Sequence, residues 1–211
     1  MTILEIIEKR TIKEILHFTT NKGVTGILAT GYLKARNLLA KDDYLEYIYQ
    51  YNCANRERDK EWWNYVNLSI TSVNRHLFGI SAGNWHAGED GWWCILSFSP
   101  EICAHDGVCF TTTNNMYTNG VIRQKGSVGL EAMFATNIVK WPGECIIRPA
   151  SSPDNQTTCN QAEVLYPKEV SLHYLNKVYV ANNDDAAGFD SIKSLFMDWN
   201  YIECEVRREL F

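Results

Sequence analysis

Glu163 stands two residues after Gln161, at the head of the apolar run Val164-Leu165-Tyr166 and behind a stretch, Pro153 to Cys159, rich in Asp, Asn, Gln and Thr. Alternation along a β-strand sends Val164 and Tyr166 one way and Leu165 the other, so Glu163 falls where the strand leaves a polar loop. A carboxylate on a rigid strand beside a polar lip suits acid–base work. Gln161 adds an amide that can both give and accept hydrogen bonds. By themselves these residues also fit an ordinary solvated glutamate at a strand edge, the commoner fate of that residue type.

Other polar side chains sit inside apolar segments. His17 lies between Leu16 and Phe18, with Thr19 and Asn21 just after it; Asn67 and Ser69 interrupt Val66, Leu68 and Ile70; Arg58-Asp59 and Asn74 flank that segment. A histidine so placed is more often a hydrogen-bonded core residue than a ligand-binding one. The five histidines, at 17, 76, 86, 105 and 173, are scattered, and the seven cysteines show no CxxC pair. Neither a zinc site nor a disulfide framework is expected, and the odd cysteine number fits a reducing cytoplasm.

The elements that must position these groups follow from hydrophobic periodicity. Ile3 to Leu16 reads as a first helix and His17 to Thr19 as a short extended segment; Asn21 caps a second helix carrying Val24, Ile27 and Leu28, stopped by Gly31. Asp43 to Gln50 reads as one more helix. Tyr65 to Thr71 alternates with period two, and Trp92 to Phe98 reads as a buried strand ended by Pro100. Leu130, Met133 and Phe134 repeat at helical spacing. After the strand at Glu163 come a turn at Pro167, a strand from Lys177 to Ala181, and an Asn/Asp-rich link into a last helix, Asp190 to Arg208. Without regular βαβ alternation the pattern is α+β, and it holds neither a phosphate-binding P-loop nor a GxGxxG fingerprint.

At 211 residues and 45% apolar content, one domain spanning 1–211 with a sizeable core is expected. No stretch has the apolar length of a membrane span. A net charge of −5 argues against coating nucleic acid nonspecifically. Local basic groups remain, at Lys9, Arg10 and Lys13, at Arg56, Arg58 and Lys60, at Arg123 and Lys125, and at Arg207 and Arg208. The second and third flank aromatic segments, as a single-strand-binding surface requires. Tyr117 and Trp141 are the aromatic candidates, Trp141 standing evenly between core and stacking platform.

Taken in order, Leu16-His17-Phe18-Thr19 with Asn21, Gly26-Ile27-Leu28 with Gly31, Arg58-Asp59, Val66-Asn67-Leu68-Ser69-Ile70 with Asn74, and Gln161-Ala162-Glu163-Val164 form a set. The set resembles the DarT family of DNA ADP-ribosyltransferase toxins, bacterial enzymes that attach ADP-ribose from NAD to a base of single-stranded DNA. The likeness runs from about His17 to Val180. The stretches Arg58 to Asn74 and Gln161 to Val164 look closer to the guanine-modifying branch than to the thymine-modifying one. Trp62-Trp63 and the Asn/Gly-rich insertions at Gly83 to Gly91 and Thr111 to Gly120 depart from the family's pattern, and leave open the choice among guanine, thymine and an RNA base.

The resemblance implies an ADP-ribosyltransferase core of two small antiparallel sheets around an NAD cleft, with flanking helices. It implies that His17 and Thr19 hold the adenosine-side ribose and the nicotinamide amide region of NAD, with Asn21 supporting that pocket and Ser69 touching the nicotinamide ribose. Arg58 would face the NAD phosphates or the incoming base and share in catalysis; Glu163 would be the catalytic acid; Gln161 and Asn74 would meet the acceptor. NAD is then the co-substrate, no metal is needed, and the partners are single-stranded DNA or RNA and an antitoxin that reverses the modification or binds the toxin. A module that binds nucleotide or nucleic acid without catalysis is the alternative; it would keep the basic clusters and tolerate loss of Glu163.

Overall fold

The computed structural model describes residues 1–39, 57–87, 91–141 and 143–211, with backbone alone at 57–59 and 85. The expected helix from Asp43 to Gln50 lies outside the described residues.

The chain opens with helix α1 (Ile3–Lys9), whose Thr2 and Glu5 form a reciprocal capping box. It stops well short of the expected Leu16. Thr11 turns into the left-handed region at φ 53°, and Ile15 to Thr20 become strand β1. Local helical spacing loses here to the sheet, which buries Ile15 and Leu16 almost completely. Helix α2 (Asn21–Thr30) follows at once, ended as expected by Gly31 in the left-handed conformation. Its cap is Thr20 rather than Asn21, because the Thr20 hydroxyl accepts from the Gly23 N–H at 3.1 Å.

Strand β2 (Tyr32–Lys34) and the short helix α3 (Arg36–Leu39) lead to a 3-10 turn at Glu57–Trp62. Strand β3 (Tyr65–Ile70) and helix α4 (Arg75–Ile80) come next, then strands β4 (Trp93–Phe98), β5 (Cys109–Thr111) and β6 (Arg123–Lys125). Helix α5 (Gly126–Ala132) carries Leu130, with Met133 and Phe134 buried just past its end. A hairpin of β7 (Asn137–Trp141) and β8 (Glu144–Ile147) precedes β9 (Glu163–Pro167), β10 (Glu169–Ser171) and β11 (Leu175–Val180).

The last helix is α6 (Asn183–Lys193), not Asp190 to Arg208. The Asn/Asp-rich segment read as a link is its first turn: Asn182 caps it, and Asp184 and Asp185 sit where the helix dipole favours negative charge. Beyond it the chain turns into β12 (Glu203–Val206), parallel to β11.

Eight of the described strands form one sheet in the order β12-β11-β4-β1-β3-β9-β5-β6, and β10–β2 and β7–β8 make two-stranded ribbons. The expectation of two small sheets is corrected to this larger one, but the join is narrow. Strand β1 pairs with β4 at six positions and with β3 at only two, Ile15 with Ile70 and Leu16 with Ser69. Past Leu16 the pairing of β1 with β3 stops.

Burial on both faces explains why β1 and β4 lack polar alternation. Ile15, Cys94, Leu96 and Phe98 join a large core with α2 residues Val24, Ile27 and Leu28. Leu16, Phe18 and Ile95 pack on the other side with Val73 and Tyr179. Strand β3 alternates cleanly: Val66, Leu68 and Ile70 are buried, while Tyr65, Asn67 and Ser69 are half-buried on the opposite face.

Candidate active site

Glu163 enters β9 opposite Thr111 of β5. Its backbone N–H donates to the Thr111 hydroxyl at 3.1 Å, and that hydroxyl donates in turn to the Thr113 carbonyl at 2.8 Å. The run Thr111-Thr112-Thr113 is buried with each hydroxyl partnered: Thr112 accepts from the Ile122 N–H at 3.1 Å, and Thr113 lies 3.3 Å from the Cys159 sulfur. Glu163 is thereby fixed at its backbone before its side chain makes any contact.

The Glu163 side chain is only 5% exposed. Oε1 accepts from Asn67 Nδ2 at 3.0 Å and Oε2 from the Asn115 backbone N–H at 2.8 Å. Two N–H donors on a buried carboxylate offset its loss of hydration and fix its direction. Asn67 also carries the link to β1, because its carbonyl lies 3.0 Å from His17 Nδ1. That contact falls just past the last backbone pair of β1 with β3, so the imidazole carries on the link where pairing stops. His17, Asn67 and Glu163 thus form one hydrogen-bonded line across three strands.

Gln161, two residues before Glu163, is brought into the same neighbourhood. Its Oε1 accepts from the Tyr117 hydroxyl at 3.0 Å. Burial raises the Tyr117 phenol above its ordinary value, so it stays a protonated donor at neutral pH. Tyr117 meets Trp141 edge to face at 5.3 Å between ring centroids, and Lys140 Nζ lies 4.0 Å over the Trp141 ring. Trp141, 37% exposed, is therefore neither buried core nor a bare platform.

The remaining expected positions are distributed around this centre. Thr19 is buried against α2 so closely that a Cβ on Gly23 would fall 2.1 Å from its Oγ1. Asn21 is the first residue of α2, and its Oδ1 is buried without a hydrogen-bond partner. Ser69 shares the half-buried face of β3 with Asn67. Asn74 is not brought into the carboxylate's network: it caps α4, its Oδ1 accepting from the Leu77 N–H at 3.1 Å. Arg58 lies within the turn Glu57–Trp62, and its side chain is outside the described residues.

Arg123, grouped with Lys125 as a strand-binding cation in the sequence, has an internal task. Its guanidinium donates to Asn115 Oδ1 at 2.7 Å and to the carbonyls of Asn115 and Tyr117, each at 2.6 Å. It also lies 5.8 Å over the ring of Trp62. Sequence reasoning missed Asn67 as a carboxylate partner, along with Asn115 and this role of Arg123. Asn67 had a signal, an amide in an apolar strand with the period of its exposed face. Asn115 had none, since it acts through its backbone N–H and sits in a segment that looked like an insertion.

Asn21 Oδ1, Asn67 Oδ1 and Asn115 Nδ2 are buried polar atoms without partners, an arrangement that suits a hydroxyl-rich ligand better than an apolar one. Among the described residues no group of three or more His, Cys, Asp or Glu could hold a metal ion.

The sequence matches the family described as "ssDNA thymidine ADP-ribosyltransferase, DarT" over residues 16–209. No curated protein sequence matches the chain. Among solved structures it is similar to Thermus sp. 2.9 DarT in complex with NAD+, at a TM-score of 0.65 and 17% identity, covering 94% of this chain and 97% of that one. It is also similar to the same protein in complex with ADP-ribosylated ssDNA, with TM-score 0.68, 16% identity and coverage of 95% and 97%. Thermosipho africanus DarTG in complex with ADP-ribose is similar at a TM-score of 0.60 and 14% identity, over 95% of this chain and 51% of that one. At these identities the structural likenesses speak for the fold.

Proposed function

Since this chain belongs to the DarT family, NAD-dependent ADP-ribosyltransferases that act on single-stranded DNA, we propose that Glu163 drives transfer of ADP-ribose from NAD to a base of such a strand. The observation that carries this reading is a carboxylate 5% exposed, aimed by two N–H groups and standing two residues after Gln161. The bond from ribose C1′ to nicotinamide breaks with its electron pair leaving on the nicotinamide nitrogen. The sugar left behind is oxocarbenium-like, and a fixed carboxylate stabilises its positive charge as it develops. A nitrogen of the base then bonds to C1′, and its proton passes to Glu163 and on to solvent. The donors on Glu163 are already in place, so little reorganisation is needed as charge forms.

His17, Thr19, Asn21 and Ser69 line the NAD side of this reading, supported by the unpartnered Asn21 Oδ1 and by the end of β1–β3 pairing at Leu16 and Ser69. Arg58 belongs with the NAD phosphates or the base, and Gln161 with the acceptor. Asn74 caps α4 through Oδ1, and its buried Nδ2, left without a partner, keeps it with the acceptor in this reading. A base stacked in a duplex cannot present its edge to such a site, which favours single strands. Thymidine stands first as acceptor because the family is described by it. Guanine, favoured by the Arg58 to Asn74 stretch, stands second, and an RNA base third. As a DNA-modifying toxin the protein would act in the cytoplasm, under an antitoxin that removes the ADP-ribose or binds it.

Purified protein is incubated with NAD and with single-stranded DNA and RNA oligomers each enriched in one base, and mass shifts are read. An ADP-ribose adduct on a DNA oligomer, lost by orders of magnitude in Glu163→Ala with the fold intact, is expected. Preference for duplex DNA, or labelling of protein side chains alone, would reject the reading.

A further inference from the structure

The segment from Thr111 to Gly120 touches both of the groups on which the proposed reaction depends. The Asn115 N–H holds Glu163 Oε2 at 2.8 Å, and two residues later the Tyr117 hydroxyl holds Gln161 Oε1 at 3.0 Å. Both residues are fastened by one side chain. Arg123 Nε donates to Asn115 Oδ1, and Nη2 donates to the carbonyls of Asn115 and Tyr117. Trp62 backs the guanidinium, and β6 fixes its backbone through the pair Thr111–Arg123.

Resting on the reading above, we propose that the Asn115–Tyr117 turn, clamped by Arg123, is a positioning element that sets the carboxylate and the acceptor-reading amide together, and that Tyr117 is a specificity-determining residue. The chemistry follows from the hydrogen-bond inventory. An amide can turn over and present either its oxygen or its nitrogen. With the phenol donating to Oε1, the N–H pair of Nε2 is left to donate to a ligand. A donor there complements a base whose major-groove exocyclic group is an oxygen. Thymine O4 and guanine O6 qualify; adenine N6 and cytosine N4 are themselves donors and meet it donor to donor. Tyr117 therefore favours thymine and guanine, which show an oxygen at this edge, over adenine and cytosine, which show an amino group there.

Arg123 acts further from the chemistry. Its planar fork makes three bonds at once, which the single ammonium of lysine cannot reproduce. Losing the clamp loosens both Asn115 and Tyr117, so stabilisation of the sugar cation and reading of the base should suffer together. A side chain that merely gripped the DNA backbone would affect transfer alone.

The full-length chain and its Tyr117→Phe and Arg123→Lys variants are compared for two rates, NAD hydrolysis by water and ADP-ribose transfer to single-stranded oligomers of each base. Thermal unfolding checks that the variants are folded. Tyr117→Phe keeps the ring against Trp141 and removes only the hydroxyl. The ratio of transfer to hydrolysis should fall roughly five- to tenfold, the scale of one neutral hydrogen bond. The share of adduct on adenine- and cytosine-rich oligomers should rise. Arg123→Lys should lower both rates, each by roughly tenfold or more. A folded Tyr117→Phe with unchanged ratio and unchanged base preference overturns the specificity role. Loss of transfer with normal hydrolysis in Arg123→Lys overturns the clamp and makes Arg123 a strand contact. A parent chain that converts no NAD overturns the function proposed above, a result distinct from either.

Discussion

Asn67 and Glu163 are 96 residues apart in the chain, and 3.0 Å separates Nδ2 of one from Oε1 of the other. Asn67 reaches the carboxylate from a neighbouring strand while its own carbonyl faces His17. The amide sets where the negative charge points without taking part in the bond changes. Asn67→Ala should therefore lower the rate of NAD cleavage by roughly ten- to a hundredfold with little change in the dissociation constant for NAD. Single-turnover kinetics with a parallel binding titration would check this; a weakened affinity with normal turnover would instead make Asn67 a binding residue.

Gln161→Ala should reduce transfer to DNA more than the slow hydrolysis of NAD, because water needs no base recognition whereas an unstacked base must be held by its edge. The two rates, measured on the same preparation, separate these roles. Equal losses would assign Gln161 to the cofactor.

His17→Ala removes the ring that bridges β1 and β3 beyond their last paired residues. Weaker NAD binding is expected, together with faster amide exchange at Asn67 and Leu68 than in the parent. Ser69→Ala, on the same half-buried face of β3 as Asn67, should weaken NAD binding without the change in exchange. NAD affinities equal to the parent's in both variants would show that the pocket is elsewhere.

Gly129 lies on α5 where an added Cβ would stand 2.0 Å from the Gln124 carbonyl oxygen and 3.2 Å from the Phe110 ring. An alanine in a helix ordinarily gains about 1 kcal/mol over glycine. Here the obstacle is backbone that cannot rotate away, so Gly129→Ala should destabilise the fold and lower the melting temperature by several degrees, on the order of 2 kcal/mol of overpacking strain. A melting temperature at or above the parent's would contradict the packing described.

Alkaline pH should weaken the fold through its buried thiols. Burial pushes Cys103 from 9.0 to about 12, and Cys94 is raised as well by burial, with Cys204 and Asp185 adding to it. A raised folded value means the unfolded chain releases its proton first. The stabilisation is complete below pH 9 and is lost as pH climbs toward 12, on the order of tenfold in the folding equilibrium per pH unit for each such group. Urea midpoints between pH 8 and 11 should fall, and less steeply in Cys103→Ala. A flat profile would show that these thiols ionise freely in the folded protein.

Much of this was written locally in the chain. The alternation in Tyr65 to Ile70 gave β3 and its half-buried face, Gly31 gave the end of α2, and the spacing of Gln161 and Glu163 gave the head of β9. What was not legible depends on partners distant in sequence. Ile3 to Leu16 has helical spacing throughout, and only the sheet's demand for Ile15 and Leu16 ends the helix at Lys9. The Asn/Asp-rich segment after Ala181 reads equally as a link or as a capped first turn. Arg123 looks like a surface cation until Asn115 and Tyr117 fold around it, because composition does not reveal where a guanidinium spends its hydrogen bonds.

Strand β9 lies between β3 and β5, both of which precede it in the chain. The strand bearing Glu163 must therefore enter a slot between two elements made well before it, and such distant pairings close slowly. During synthesis the protein can hold most of its helices and sheet and still lack its carboxylate. NAD conversion in a refolding experiment should accordingly lag behind recovery of secondary structure and rise with the latest-protected amides, those of Glu163 to Tyr166. The sheet is in this way without its carboxylate until Glu163 has been made and has slotted between β3 and β5.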